Sequence, residues 1–223
     1  MRYKTTVPAL FLARPNRFIA RVLLDGREET VHVKNTGRCR ELLVPGAKVI
    51  LAAGENPGRK TRWDLVAVYK GERLINMDSQ APNAAAGELL GRLFPGFEIQ
   101  PEKRYVNSRF DFYLEQGERR IFAEVKGVTL EREGLALFPD APTDRGRKHL
   151  LELAHAAEAG YEAHVLFLIQ MKGCRAFSPN RETDPAFAAA LAQARDRGVG
   201  IWCYDCAVTE ESMTADQEVP IIM

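Results

Sequence analysis

Cysteine is scarce in this chain: four residues, at positions 39, 174, 203 and 206, in a length of 223. So few and so scattered, they exclude a disulfide-framed scaffold. Cys203 and Cys206 make one C-x-x-C, but no second pair and no nearby histidine completes a zinc site. Trp202 and Tyr204 around them suggest a strand, so the pair reads as structural and reduced. Long apolar runs are missing too, and no signal-like hydrophobic stretch follows Met1, which leads us to expect a soluble, cytoplasmic protein with no membrane partner. Nor is there an excess of one charge. Lys and Arg number 31 against 30 Asp and Glu, a formal net charge of +1, so no global basic field announces nucleic acid. A Walker-type G-K-[ST] is absent from the loop Asn35-Thr36-Gly37-Arg38, which reads equally as a weak phosphate-binding turn or as a plain turn.

What is present is an ordinary globular composition, 46% hydrophobic and 27% charged, in a chain long enough for one large domain or two small ones. Charge is unevenly placed: the first 62 residues are rich in Arg and Lys, and the tail after Thr209 is acidic. Residues 1–80 look all-β. Strands are expected over 17–24, 29–33, 48–52, 63–70 and 73–76, punctuated by Asp25-Gly26, Pro45-Gly46 and Gly71. Five short strands with tight turns point to a small OB-like β-barrel. Such barrels bind single strands through a basic groove and aromatic stacking. Arg14, Arg17, Phe18, Lys34, Arg38, Arg40, Lys60, Arg62 and Trp63 supply that chemistry, although a solvated basic face over a core Trp and Phe explains them as well.

A boundary is expected near 78–83, and residues 81–223 read as a separate α/β domain, making the chain α+β overall. Residues 84–94 pattern as a helix with Leu89, Leu90 and Leu93 on one stripe. Thr143 or Asp144 caps a second helix running to Gly160, and Thr183 or Asp184 caps a third ending at Gly198. The apolar run 163–169 is typical of a strand buried on both faces. The strand-helix-strand order through 199–204 implies parallel pairing. The first turn of the second helix carries Arg145, Arg147, Lys148 and His149, opposite to what the helix dipole prefers. We therefore take Arg145, Lys148 and His149 as candidate backbone contacts to DNA, with His149 also a candidate proton shuttle; a solvated basic turn is the alternative.

The most informative stretch is 108–128. Alternation places Phe110, Phe112 and Leu114 on one face of the first strand and Arg109, Asp111 and Tyr113 on the other. If Gly117-Glu118 forms a type II′ turn, paired numbers sum to 235, and Asp111 meets Glu124 with Lys126 one step along. Two carboxylates opposite each other repel, so Lys126 or a divalent cation must offset them. Mg²⁺ and Mn²⁺ accept one or two carboxylates and leave other positions to water and phosphate oxygens. The pattern outlines a metal-dependent phosphodiester hydrolase, with Asp111 and Glu124 on metal and Lys126 beside the attacking water. Glu88 is either a third carboxylate or a solvent-facing acid. A solvated hairpin paired with Arg109, Arg119 and Arg120 is the bland alternative.

Three blocks carry a family resemblance: Arg109-Phe110-Asp111-Phe112, Glu124-Val125-Lys126-Gly127-Val128-Thr129-Leu130, and the run Phe138-Pro139-Asp140-Ala141-Pro142-Thr143-Asp144-Arg145-Gly146-Arg147-Lys148-His149-Leu150. They resemble the sugar fermentation stimulation protein A family, and Asn35-Thr36-Gly37 and Pro45-Gly46 fit as well. The resemblance implies an OB-like N-terminal domain followed by a restriction-endonuclease-like domain of the P-D-(D/E)-x-K superfamily with a mixed sheet. It also implies DNA binding without marked sequence preference and a regulatory link to sugar use, notably maltose. By it, Asp111, Glu124 and Lys126 fall on the nuclease motif and Glu88 matches the acid of its first helix. One departure is plain: Phe110 stands where the superfamily's name motif has proline. Two functions are therefore expected, a DNA-binding regulator or an active nuclease, and the sequence leaves the oligomeric state unspecified.

Overall fold

The computed structural model describes residues 1–35, 37, 39–54 and 58–223. Its N-terminal half is a six-stranded sheet of β1 (Thr6–Asn16), β2 (Ile19–Leu24), β3 (Arg27–Val33), β4 (Lys48–Ala53), β5 (Trp63–Lys70) and β6 (Arg73–Asn76). Its order is β3-β2-β1-β4-β5-β6, and a parallel β3–β5 pairing at His32↔Asp64 and Val33↔Leu65 closes it. The closed barrel is thus β1-β2-β3-β5-β4, an OB arrangement. Five staves are present, as the strand count suggests, but their membership differs. The first stave, β1, lies in a segment whose Pro8 and Pro15 argue against a strand. Residues 73–76, expected as a stave, instead extend β5 as a hairpin outside the ring. Asp25 and Gly26 both take positive φ, +49° and +77°, the type I′ geometry that joins β2 to β3.

The second half begins with α1 (Ala81–Leu93) and continues through β7 (Glu98–Tyr105), β8 (Ser108–Gln116), β9 (Arg119–Val128), β10 (Leu130–Arg132), β11 (Leu135–Phe138), α2 (Asp144–Glu158), β12 (Glu162–Ile169), β13 (Ala176–Pro179), α3 (Pro185–Asp196), β14 (Gly200–Val208) and β15 (Met213–Glu218). Six of these strands form a mixed sheet ordered β15-β14-β12-β9-β8-β7. Parallel β9, β12 and β14 lie at its centre and antiparallel strands at both edges. Helix α1 covers one face, packing Ala85, Leu89 and Leu90 on Phe112, Leu114, Ile121 and Leu168. Helices α2 and α3 cover the other through Leu150, Leu153, Phe187 and Leu191 against Phe122, Val165 and Phe167. Thr143 and Asp184 are the N-caps of α2 and α3, accepting from the Gly146 and Phe187 amides at 3.0 and 2.8 Å. Cys203 and Cys206 are free thiols buried in β14. No helix among the described residues is long and apolar enough to cross a membrane.

The two halves meet through a hydrogen-bonded joint rather than a loose linker. Gln170, at the end of β12, donates through Nε2 to the carbonyls of Asn76 and Asp78 at 3.0 and 3.1 Å. Buried Asp78 in turn accepts from Lys34 Nζ at 2.9 Å, Gln80 N at 2.9 Å and Tyr3 Oη at 3.2 Å. A buried carboxylate with this many donors fixes the barrel against the mixed sheet.

Candidate active site and nucleic-acid interface

The β8–β9 hairpin turns at Gly117, whose φ is +59°. From Gln116↔Arg119 to Phe112↔Ala123 every partner sum is 235, the register expected of a two-residue turn. The ladder ends there, so Asp111 and Glu124 are not a laddered pair. Asp111 accepts the Val125 amide on Oδ2 and the Asn83 side-chain amide on Oδ1, both at 2.8 Å. Its carboxylate therefore stands in for a main-chain acceptor. Across the other side of β8, Glu102 has φ +56° and interrupts the β7 pairing between Pro101↔Phe112 and Lys103↔Phe110. The expected alternation breaks at the same point. Phe110 packs with Phe122 and His149 on the α2 side, whereas Phe112 and Leu114 pack under α1.

Glu124 is only 3% exposed. Its Oε1 accepts from Lys126 Nζ at 2.7 Å and from His149 Nδ1. Its Oε2 is buried without a hydrogen-bond partner. Burial by itself raises a carboxyl pKa, but here the His149 bond and the Lys126 charge outweigh it and hold Glu124 below the usual range. Asp111 goes the other way, pushed up by burial and by the charge of Glu124. The two acids thus have opposed pKa values, as in sites that bind a charge or move a proton. Arg145 Nε donates to His149 Nε2 at 3.5 Å. A ring accepting there carries its proton on Nδ1 and gives it to Glu124.

A hard divalent cation suits this donor set: two carboxylates near enough that the charge of Glu124 raises the pKa of Asp111, and one carboxylate oxygen left buried and unpaired, a costly state without a partner. Asp111 and Glu124 would hold Mg²⁺ or Mn²⁺. Among the described residues no group of three or more His, Cys, Asp or Glu is placed to hold a metal ion, so water and phosphate would complete the coordination. Glu88 does not reach this cluster: it is exposed and forms an ion pair with the Met1 ammonium at 2.8 Å.

The other sequence candidates separate by burial. Trp63 is 6% exposed and lies in the barrel core, so it offers no face to a base. His149, 5% exposed, serves Glu124 instead of touching DNA phosphate. Arg14 is turned inward, donating to the carbonyls of Arg17, Asn35 and Gly37 at 2.7, 2.7 and 2.8 Å. Arg17, Arg40, Arg62, Arg145 and Lys148 are exposed. Arg17 lies over the half-exposed Phe18 ring. Arg38 lies outside the described residues. Asn35 and Gly37 of the barrel and Gly127, Thr129 and Thr143 of the second half line one cavity of about 380 Å³, so the barrel reaches Gly127, the residue after Lys126.

Sequence reasoning missed Asn83, because nothing local marks a helix-start amide that meets a distant strand. It also misassigned His149, although a clue existed: four residues before Leu153, it shares the apolar stripe of α2.

Comparison with known proteins agrees with this architecture. Residues 12–77 match the SfsA N-terminal OB domain and residues 80–212 the sugar fermentation stimulation protein RE domain. The chain is 56% identical to a sugar fermentation stimulation protein homolog of Desulfitobacterium hafniense over 99% of this chain and 98% of that protein. It is 50% identical to one of Clostridium beijerinckii over the full length of both. A solved structure of Pyrococcus furiosus SfsA in complex with Ca²⁺ superposes with a TM-score of 0.88 at 28% identity, covering 100% of this chain and 98% of that one. With matches to both domain models and to full-length relatives, the chain belongs to the sugar fermentation stimulation protein family.

Proposed function

We propose that this protein binds DNA through its backbone, without marked sequence preference, and that its second domain hydrolyses phosphodiester bonds with Mg²⁺ or Mn²⁺ held by Asp111 and Glu124. The observation that carries the reading is the buried, unpaired Oε2 of Glu124 beside a second carboxylate and a lysine. Ca²⁺ in the solved Pyrococcus furiosus relative supports a divalent cation here. Bound, the cation would polarise a phosphoryl oxygen and offset the charge that develops on it. Lys126 orients the attacking water and balances phosphate charge. His149 keeps Glu124 ionised and aimed, with Arg145 behind the imidazole. Lys148 and the exposed face of Arg145 hold the DNA backbone at the α2 start, and Arg17, Arg40 and Arg62 hold it along the barrel. In this reading, stimulation of sugar fermentation, maltose use included, lies downstream of an action on DNA.

One observation favours a second reading, a DNA-binding regulator that does not cleave: Lys126 and His149 already occupy Oε1 of Glu124. Calorimetric titration of Mn²⁺ into the wild type and into an Asp111→Ala/Glu124→Ala variant, followed by a plasmid-nicking assay with wild type and Lys126→Ala, separates them. Binding heat and nicking in the wild type alone uphold the nuclease. Binding without nicking upholds the regulator, and no binding heat in the wild type refutes the metal site.

A further inference from the structure

The turn between β7 and β8 is two residues long, Val106 and Asn107, closed by the pair Tyr105↔Ser108. Val106 has φ +48° and is 63% exposed, the most exposed of the large hydrophobic residues described. A single exposed valine means little by itself. A β-branched residue in the left-handed region is another matter, because turns of this kind ordinarily take Gly, Asn or Asp there. Behind the tip, Arg104 and Arg109 are directly opposed across the strands. Like charges in that position repel, and among the described residues Glu102 forms an ion pair with Arg109, at 3.3 Å, and not with Arg104.

The hairpin is also held firmly. Lys148 of α2 donates to the Asn107 carbonyl at 3.1 Å, and the Tyr105 hydroxyl bonds His155 Nδ1 at 3.0 Å. The Tyr105 ring is lodged among Phe110, Phe122 and Tyr161. A rigid, apolar, strained tip, flanked by two arginines and tied to the helix turn that carries Lys148, has the chemistry of a wedge. Apolar side chains entering a base step unstack and kink a duplex, with nearby cations on the phosphates. A platform for single strands would present an aromatic ring instead.

Resting on the reading that the protein binds DNA, we infer that the β7–β8 tip enters a base step of duplex DNA, with Val106 between the bases and Arg104 and Arg109 on the flanking phosphates. The test uses the full-length protein and a short duplex carrying one 2-aminopurine, with binding followed by anisotropy and unstacking by 2-aminopurine fluorescence. Wild type should bind and raise the fluorescence. Val106→Gly, which accepts the positive φ and so folds, should bind with the same salt dependence yet lose the rise. Arg104→Ala/Arg109→Ala should lower the slope of log affinity against log salt by about 1.8, about 0.9 per phosphate contact. Binding without a fluorescence rise, or an equal rise with Val106→Gly, overturns the wedge and leaves DNA binding intact. No binding by the wild type at low salt overturns both.

Discussion

Replacing Lys126 by methionine keeps the length of the side chain and removes its ammonium from Glu124. Both partners are shielded, the Lys126 side chain 13% exposed and that of Glu124 3%, with Nζ and Oε1 2.7 Å apart. Removing one member of a buried ion pair typically costs about 3–5 kcal/mol. Because His149 still donates to Glu124, the low end applies, about 3 kcal/mol, equivalent to a fall in Tm of about 6–12 °C for a chain of this size. The pH dependence has a definite sign. The pKa of Glu124 is depressed on folding, so its contribution is present above the ordinary carboxyl value and lost as pH falls through the lower, folded one. Without the ammonium the folded value rises, so the difference between variant and wild type should be largest at neutral pH and shrink in acid. Mn²⁺ at 100 times its Kd adds about 2.7 kcal/mol to any protein that binds it, so it should bring the variant close to the stability of the metal-free wild type. Urea unfolding at neutral and acid pH, with and without Mn²⁺, reads all three effects. A loss that is equal at both pH values would refute the pairing argument, and a variant that Mn²⁺ does not stabilise would refute the metal site.

Other outcomes follow from the joint between the halves. A Cβ on Gly127 would meet Gln170 Oε1 and come within 2.7 Å of Pro82 Cγ, so Gly127→Ala should cost about 1–3 kcal/mol in urea unfolding. Because Gln170 also holds the joint, Gly127→Ala/Gln170→Ala should cost less than the sum of the two single variants, and a neutral Gly127→Ala would show that the joint yields. Glu131 links the halves by accepting from Lys70 at 2.9 Å and from the Gly134 amide, with Arg73 at 3.1 Å. Burial opposes ionisation there, but these partners outweigh it and bring its pKa down to about 2. Its stabilisation is complete above the ordinary carboxyl value and disappears as pH falls through about 2. Glu131→Gln should therefore lose about 1–2 kcal/mol at neutral pH, given solvent screening at the half-exposed Lys70, and match the wild type near pH 2. An equal deficit at both ends of that range would mean that charge is not what the glutamate contributes.

Much of the second half is legible in the sequence because its signals are local. Each cap is found to within one residue, Thr143 from the pair Thr143/Asp144 and Asp184 from Thr183/Asp184, the apolar run 163–169 is found as a strand buried on both faces, and 199–204 as the start of its parallel neighbour. The barrel is legible as a barrel, from its turns, but its first stave hides behind two prolines. Pro15 is tolerated where the pairing of β1 with β2 is irregular, between Phe11 and Asn16, and Pro8 lies beyond the end of that pairing at Leu10. Strands β10, β11, β13 and β15 are short or polar, and their pairing depends on partners far along the chain.

At the carboxylate site the same division holds. The 235 register of the hairpin and the placing of Glu124 and Lys126 on one face come from a glycine turn and a two-residue period, both properties of consecutive residues. The sequence determined those by itself, together with the family. That Asp111 leaves the ladder, that Asn83 meets it, that His149 turns inward to Glu124 and that Trp63 is core rather than platform were decided only by tertiary structure. Each depends on which surface another element covers, and burial is set by contacts between residues distant in sequence, to which local periodicity carries no information.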